Sequence, residues 1–397
     1  MSDILSDEAC CTLSGDARSD LLARGYSRRH FGRISTLLGM GAAAAPLLAR
    51  AAPSAGPKAA FVGHPDMVRI GSNECWTGPF PDAAQAGIAV IPQGNRYEPS
   101  DLRQTLLFNA SQVEGVPVDH IQPWAGSSDP LCRSIVSFAG PGRGVVTANP
   151  TYEAAWMVAK WLNVKLTRVP LRARDQATDV RGMLAADPHA GVYYVCSPNN
   201  PTGTITPVED IEWLVDNKPK GSIVVVDEAY LHFAGTPSAI PMVKAGKDVI
   251  VLRTFSKLFG MAGLRLGLCF ARPDILSKML RYDGNYLSYM LPVTSEAIGA
   301  HSLLMADAIV QRRNEMIAAR DFTCAHLKKR GIPFIPSQAN MIMVQWSKPA
   351  AEVKAAFAAQ KVEIGRSWEI WPNRSRITIG SMANMQAFCT ALDKVMA

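Results

Sequence analysis

The sequence predicts an α/β fold: a large domain with a mostly parallel central sheet between helices, followed by a smaller α+β domain. Three observations predict it. Short β-branched runs such as Val224-Val225-Val226 are apolar on both faces, as in strands covered by helices on each side. These runs alternate with stretches of helical period, the strand–helix–strand rhythm of a parallel sheet. After about residue 285 the rhythm gives way to one long helical stretch and then to short strands and helices.

Taken in order, strands are expected within 144–150 (GVVTANP), 191–203 (GVYYVCSPNNPTG), 222–230 (SIVVVDEAY), 248–257 (DVIVLRTFSK) and 264–271 (LRLGLCFA), each ending in polar or turn residues. Helices are expected at 152–162 and 208–217 between them. In the second domain, residues 294–331 read as a long helix with a kink or interruption. Strands follow in ANMIMVQW and SRITIG, and helices in PAAEVKAAFAAQ and NMQAFCTALDKVMA. The expected layout is an arm at 52–72 that packs on the small domain, a large domain at 73–285 and a small domain at 286–397.

Composition narrows the function. The chain has 397 residues, 48% hydrophobic and 19% charged, enough apolar material for a large core without disulfides. Its net charge of +7 is spread along the chain with no basic block, which argues against nucleic acid and suits anionic small molecules. The eight cysteines (Cys10, Cys11, Cys75, Cys132, Cys196, Cys269, Cys324 and Cys389) form no CxxC pair and no metal-ligand spacing with histidine. No metal site is expected.

At the amino end, SRRHFGR (27–33) precedes an alanine-rich apolar stretch and a small-x-small triplet, Ala49-Arg50-Ala51. This resembles a twin-arginine export signal over residues 1–51, so the expectation is an exported, periplasmic protein. The alternative is a surface amphipathic helix on a cytoplasmic protein. The apolar run of about 15 residues is short of the roughly 20 that span a bilayer, so no stable membrane insertion is expected.

The chemistry gathers at strand ends, where open α/β sheets bind ligands. Gly126, Ser127 and Ser128 precede a helical pattern and offer backbone N–H groups and hydroxyls, a phosphate seat. Tyr152 follows a strand end, where an aromatic can stack on a planar ring. Asn200 lies in SPNNPTG. Asp227 ends an apolar strand, where a desolvated carboxylate needs a cationic or strong hydrogen-bonding partner, and Tyr230 follows three residues on. Lys257 sits among small and apolar residues, where a lysine has a lowered pKa and attacks carbonyls. Thr254, Ser256 and Arg265 around it suit a dianion. A phosphate seat, a stacking aromatic, a buried acid, a phenol and a carbonyl-reactive lysine together point to pyridoxal 5'-phosphate.

From about residue 65 onward, the chain resembles a class I/II aminotransferase of fold type I, and within that group the histidinol-phosphate aminotransferases. The resemblance rests on SNECWTGPFP, NRYEPSDLRQ, AGSSD, NPTY, SPNNPTG, VVDEAY, TFSKLFGMAGLRLG, IGRSW and SRITIG. It implies that Lys257 holds the cofactor's aldehyde and moves the proton, and that Asp227 faces the pyridine nitrogen. Asn200 and Tyr230 would donate to the ring oxygen, and Tyr152 would stack on the ring. Gly126, Ser127, Ser128, Thr254, Ser256 and Arg265 would form the phosphate cup. It further implies a homodimer in which Tyr97 reaches the partner subunit's cofactor phosphate. Arg376 would clamp the substrate carboxylate and Arg366 would touch the substrate's distal group. The implied reaction moves an amino group from a histidinol-phosphate-like or aromatic donor to a 2-oxo acid. The same fold and cofactor also serve decarboxylases, lyases and cyclases, because the bond that breaks depends on which one stands perpendicular to the ring. Two departures from the family pattern are Ser128-Asp129-Pro130 after the AGS turn and Cys75-Trp76 before the first prolines.

Overall fold

A computed structural model describes residues 13–39, 66–283 and 290–396. The expected strands form at β3 (Val145–Asn149), β5 (Val192–Cys196), β6 (Ile223–Asp227), β7 (Val249–Thr254) and β8 (Gly267–Phe270), and two further strands, β2 (Ile121–Trp124) and β4 (Leu166–Pro170), join them. Together they make a seven-stranded sheet in the order β2-β8-β7-β6-β5-β3-β4. The β4-β3-β5-β6-β7 part is parallel, and β8 runs antiparallel to both β7 and β2.

Alternation along each strand sends side chains to two separate cores. Tyr193, Val195, Val224, Val226, Val249 and Val251 join the core on one face, which continues into the small domain. Val192, Tyr194, Cys196, Ile223, Val225, Ile250 and Leu252 join the core on the other, under the helices Ser128–Phe138, Ala154–Trp161 and Pro273–Leu280.

The long helical stretch is interrupted, as expected, into Val293–Leu303 and Ala306–Lys329. The first packs on the helices Pro81–Val90 and Leu102–Glu114, where a Cβ on Gly87 would sit 2.5 Å from an Ile298 side-chain carbon. That contact ties it to the large-domain side, so the small domain's own layers begin at Ala306. They comprise β9 (Phe334–Ile335), β10 (Met341–Gln345) and β12 (Arg374–Thr378) in a three-stranded antiparallel sheet. A separate parallel pair joins β1 (Val68–Ile70), on the arm, to β11 (Val362–Ile364).

Setting residues 1–51 apart from the fold is corrected for 13–39. They form the helices Gly15–Ala23 and Arg28–Gly39, docked on the large domain. Leu13, Ala17 and Leu21 recur every four residues, and with Tyr26, Phe31 and Ile34 they are buried in the second core. The Arg24 guanidinium donates to the carbonyls of Val136 (2.6 Å) and Ala139 (2.8 Å) and to the Tyr282 hydroxyl (2.6 Å). The end of the apolar run and the small-x-small triplet lie outside the described residues. Replacing Leu21, 0% exposed, with alanine is expected to cost roughly 2–5 kcal/mol in denaturant unfolding. A change below about 0.5 kcal/mol, the range of ordinary surface substitutions, would show that the docking contributes nothing.

Among the described residues no helix is long and apolar enough to cross a membrane, and no cluster of His, Cys, Asp and Glu could hold a metal ion. The cysteines among them are free.

Candidate active site

The parallel strands β3, β5, β6 and β7 deliver their carboxyl ends to one edge of the sheet. In register, Cys196 faces Asp227 and Asp227 faces Leu252, so the loops after β5, β6 and β7 emerge side by side.

Lys257 follows β7. Its Nζ donates to the Asn73 carbonyl at 3.1 Å and lies 5.4 Å from the centre of the Tyr230 ring. Burial, helped by the positive charge of Arg376, brings its pKa down to about 8. A neutral amine is the form that attacks an aldehyde. Uptake of pyridoxal phosphate by the apoenzyme is therefore expected to speed up roughly tenfold per pH unit below about pH 8 and to level off above it. Stopped-flow absorbance reads this, and a rate flat from pH 6 to 9 would contradict it.

Asp227 is buried at the end of β6. One carboxylate oxygen accepts from the Tyr194 hydroxyl at 2.8 Å and the other from the Ala229 N–H at 3.1 Å. Desolvation pushes its pKa up despite these bonds. Such an acid is stabilised as a carboxylate by a cation brought against it, as a protonated pyridine nitrogen would be.

The phosphate cup is assembled from two loops. Arg265, in left-handed backbone (φ 55°), donates to the Ser256 hydroxyl at 3.3 Å and to the Ala125 carbonyl at 3.3 Å. The Thr254 hydroxyl donates to Ser256 at 2.9 Å and accepts from the Ser256 N–H at 3.1 Å, fixing that turn. Gly126 has φ +90°, and a Cβ there would fall 2.2 Å from an Arg265 nitrogen. The positive φ favours glycine here, and without a Cβ the guanidinium lies directly against this loop. Ser127 precedes the Ser128–Phe138 helix without using its side chain as a cap, and the Ser128 hydroxyl lies 3.4 Å from that of Tyr152.

Arg376, on β12, donates to the Asn200 side-chain oxygen at 2.9 Å and to the Gly71 carbonyl at 2.8 Å. Its Nε is buried without a partner. A buried guanidinium with one donor unspent is a seat for a carboxylate. With its oxygen taken by Arg376, Asn200 has its amide N–H group to offer a ligand. These residues fit pyridoxal phosphate: a cationic cup, a buried acid, and an amine of lowered pKa with a phenol beside it.

Two expected site residues are not joined to these by side-chain hydrogen bonds, though Arg366 shares the Trp368 ring with Arg376. Tyr97 is 88% exposed and meets none of the others. Arg366 is held in an ion pair with Glu153 and lies over the Trp368 ring, 4.6 Å from its centre.

Sequence reasoning missed Tyr194 and Asn73. Tyr194 faces Val225 in the β5–β6 register, so Asp227 is its diagonal neighbour two residues further along the same face. A tyrosine inside an apolar strand needs a partner for its hydroxyl, and that was the available signal. Asn73 (φ 54°) donates to the Tyr230 hydroxyl at 3.1 Å, accepts on its side-chain oxygen from Thr378 at 3.0 Å and presents its carbonyl to Lys257. It ties the arm, the small domain and the lysine together. The departure at Asp129 has a structural role: it pairs with Arg133 at 2.9 Å, one turn along the helix.

The chain is similar to known aminotransferases. The chain is 30% identical over 353 residues to a histidinol-phosphate aminotransferase of Moorella thermoacetica, covering 85% of this chain and 87% of the relative. It is 30% identical over 332 residues to an aromatic amino acid aminotransferase of Mycolicibacterium vanbaalenii, covering 82% and 91%. In fold it matches the crystal structure of histidinol-phosphate aminotransferase from Sinorhizobium meliloti in complex with pyridoxal-5'-phosphate, with TM-score 0.75 and 23% identity over 83% of this chain and 90% of that one. The family model for aminotransferase class I and II matches residues 65–392, and this chain belongs to that family as a pyridoxal-phosphate-dependent transaminase of fold type I.

Proposed function

We propose that the chain moves an amino group from an aromatic amino acid or a histidinol-phosphate-like amino alcohol phosphate to a 2-oxo acid. The observation that carries this reading is Arg376, whose unpartnered buried Nε sits beside Asn200, on the side of the site where Tyr230 and Lys257 meet. Arg376 binds the donor's anionic group and fixes its Cα. Lys257, once its amine is free, takes the Cα proton and returns it on the cofactor side. Bound pyridoxal phosphate supplies a protonated ring that accepts the electron pair left at Cα. Asp227 keeps that ring nitrogen protonated, and Tyr194 and the Ala229 N–H hold Asp227 in place. Transamination is preferred over decarboxylation, elimination or cyclisation because the relatives at 30% identity are named aminotransferases.

The test is a half-reaction on purified holoenzyme with a panel of amino donors, read by absorbance. Conversion to the pyridoxamine form with an aromatic amino acid or histidinol phosphate supports the reading. Release of carbon dioxide or ammonia without that conversion would overturn it.

The same proposal includes a homodimer in which Tyr97 crosses to the neighbouring site, supported by its 88% exposure. A monomer by solution mass measurement would end that part. It also includes export by the twin-arginine route, supported by Arg28 and Arg29 standing exposed on their helix. That route carries proteins already folded. Full-length chain confined to the cytoplasm after cell fractionation would refute export.

A further inference from the structure

We propose that Glu153 sets the charge selectivity of the substrate site, holding Arg366 so that the enzyme favours donors with a single anionic group and a neutral remainder. This deepens the transaminase reading and rests on it.

Two arginines flank one indole ring. The guanidinium carbons of Arg366 and Arg376 lie 4.6 Å and 5.7 Å from the centre of Trp368. Arg376 is buried and has Nε to spend, so it takes the first anionic group of a substrate. Arg366, whose side chain is 54% exposed, is the cation available for a second anionic group or for the extra charge of a phosphate. That cation is already engaged. The Glu153 carboxylate, 24% exposed, is ion-paired to it across the two domains, from the residue after the stacking Tyr152 to the loop after β11.

The position of Glu153 argues that this pairing is its role. It precedes the Ala154–Trp161 helix and makes no side-chain bond to the first-turn N–H groups, so its carboxylate is spent on Arg366. Its charge acts on Arg376 with a sign opposite to that of Arg366, and the ion pair carries no net charge. A dicarboxylate or a phosphate entering there must displace one carboxylate from Arg366 and then remain beside it. An aromatic side chain meets the Trp368 ring and a compensated pair instead. Selectivity by a repulsive group placed against the wrong ligand is a general device.

The experiment compares wild-type holoenzyme with Glu153→Gln and Arg366→Gln. Two ligands that lack an amino group and cannot react are titrated by calorimetry: 3-phenylpropanoate, with one carboxylate, and 3-phosphonopropanoate, with a carboxylate and a phosphonate. The half-reaction is run with phenylalanine, glutamate and histidinol phosphate. In Glu153→Gln the affinity ratio of phosphonopropanoate to phenylpropanoate is expected to rise at least about tenfold, about 1.4 kcal/mol. The kcat/KM ratios of glutamate and of histidinol phosphate to phenylalanine are expected to rise with it. In Arg366→Gln each ratio is expected to fall. If Glu153→Gln changes both ligands equally, Glu153 is only a latch between domains and the proposal is overturned. Wild-type enzyme that forms no pyridoxamine form with any donor would instead overturn the transaminase reading, and the calorimetric ratio would still judge Glu153.

Discussion

Lys257→Ala is expected to lower transaminase turnover by roughly 10⁴-fold, the upper end of what a positioned proton-transfer group contributes. The substitution removes two functions at once. The amine that captures the cofactor's aldehyde is lost, and so is the base that moves the Cα proton. The groups it contacts among the described residues, the Asn73 carbonyl and the Tyr230 ring with its phenol pushed well above its ordinary pKa by burial, supply no replacement amine. The fold is expected to survive, since removing a buried amine of lowered pKa relieves a desolvation cost. Steady-state turnover and the visible absorbance of lysine-bound cofactor are the readouts. Wild-type turnover or unchanged absorbance would refute the assignment.

Asp227→Asn is expected to slow the half-reaction by about 10²–10³-fold, the scale of removing one preorganised electrostatic contact. Asparagine keeps the shape, and its oxygen can still accept from Tyr194 or the Ala229 N–H. It cannot carry the negative charge that keeps a ring nitrogen protonated. Cofactor affinity is expected to fall as well, while the unfolding midpoint stays within the range of a mild substitution. Single-turnover kinetics and equilibrium dialysis separate the two effects. A loss below about fivefold in the half-reaction would show that the acid is structural.

Much of the fold was legible because its central strands announce themselves locally. β5, β6 and β7 are buried on both faces and carry unbroken apolar runs, so their ends mark where polar side chains appear. The edge strands were not legible. β2 contains Pro123 and β4 ends in Pro170, and both lie at the margins of the sheet, where a full apolar pattern is not required. The amino-terminal helices, readable only as the alternative to a leader, were less legible for a different reason. Their i, i+4 apolar stripe was readable at Leu13, Ala17 and Leu21, but the paired arginines just after it invited a leader reading that set the whole segment aside.

By itself, then, the sequence determined the family, the α/β architecture and the residues at the strand ends: Asp227, Asn200 and Lys257 each occupy a place that short-range chain order dictates. Tertiary structure decided which groups hold those residues and which oppose them. Tyr194 and Asp227 are 33 residues apart, Asn73 and Tyr230 are 157 apart, and Glu153 and Arg366 are 213 apart. No local pattern encodes such pairs. They exist because two faces of a sheet and a second domain converge on one edge, and a side chain meets its partner only after the chain has folded to bring it there.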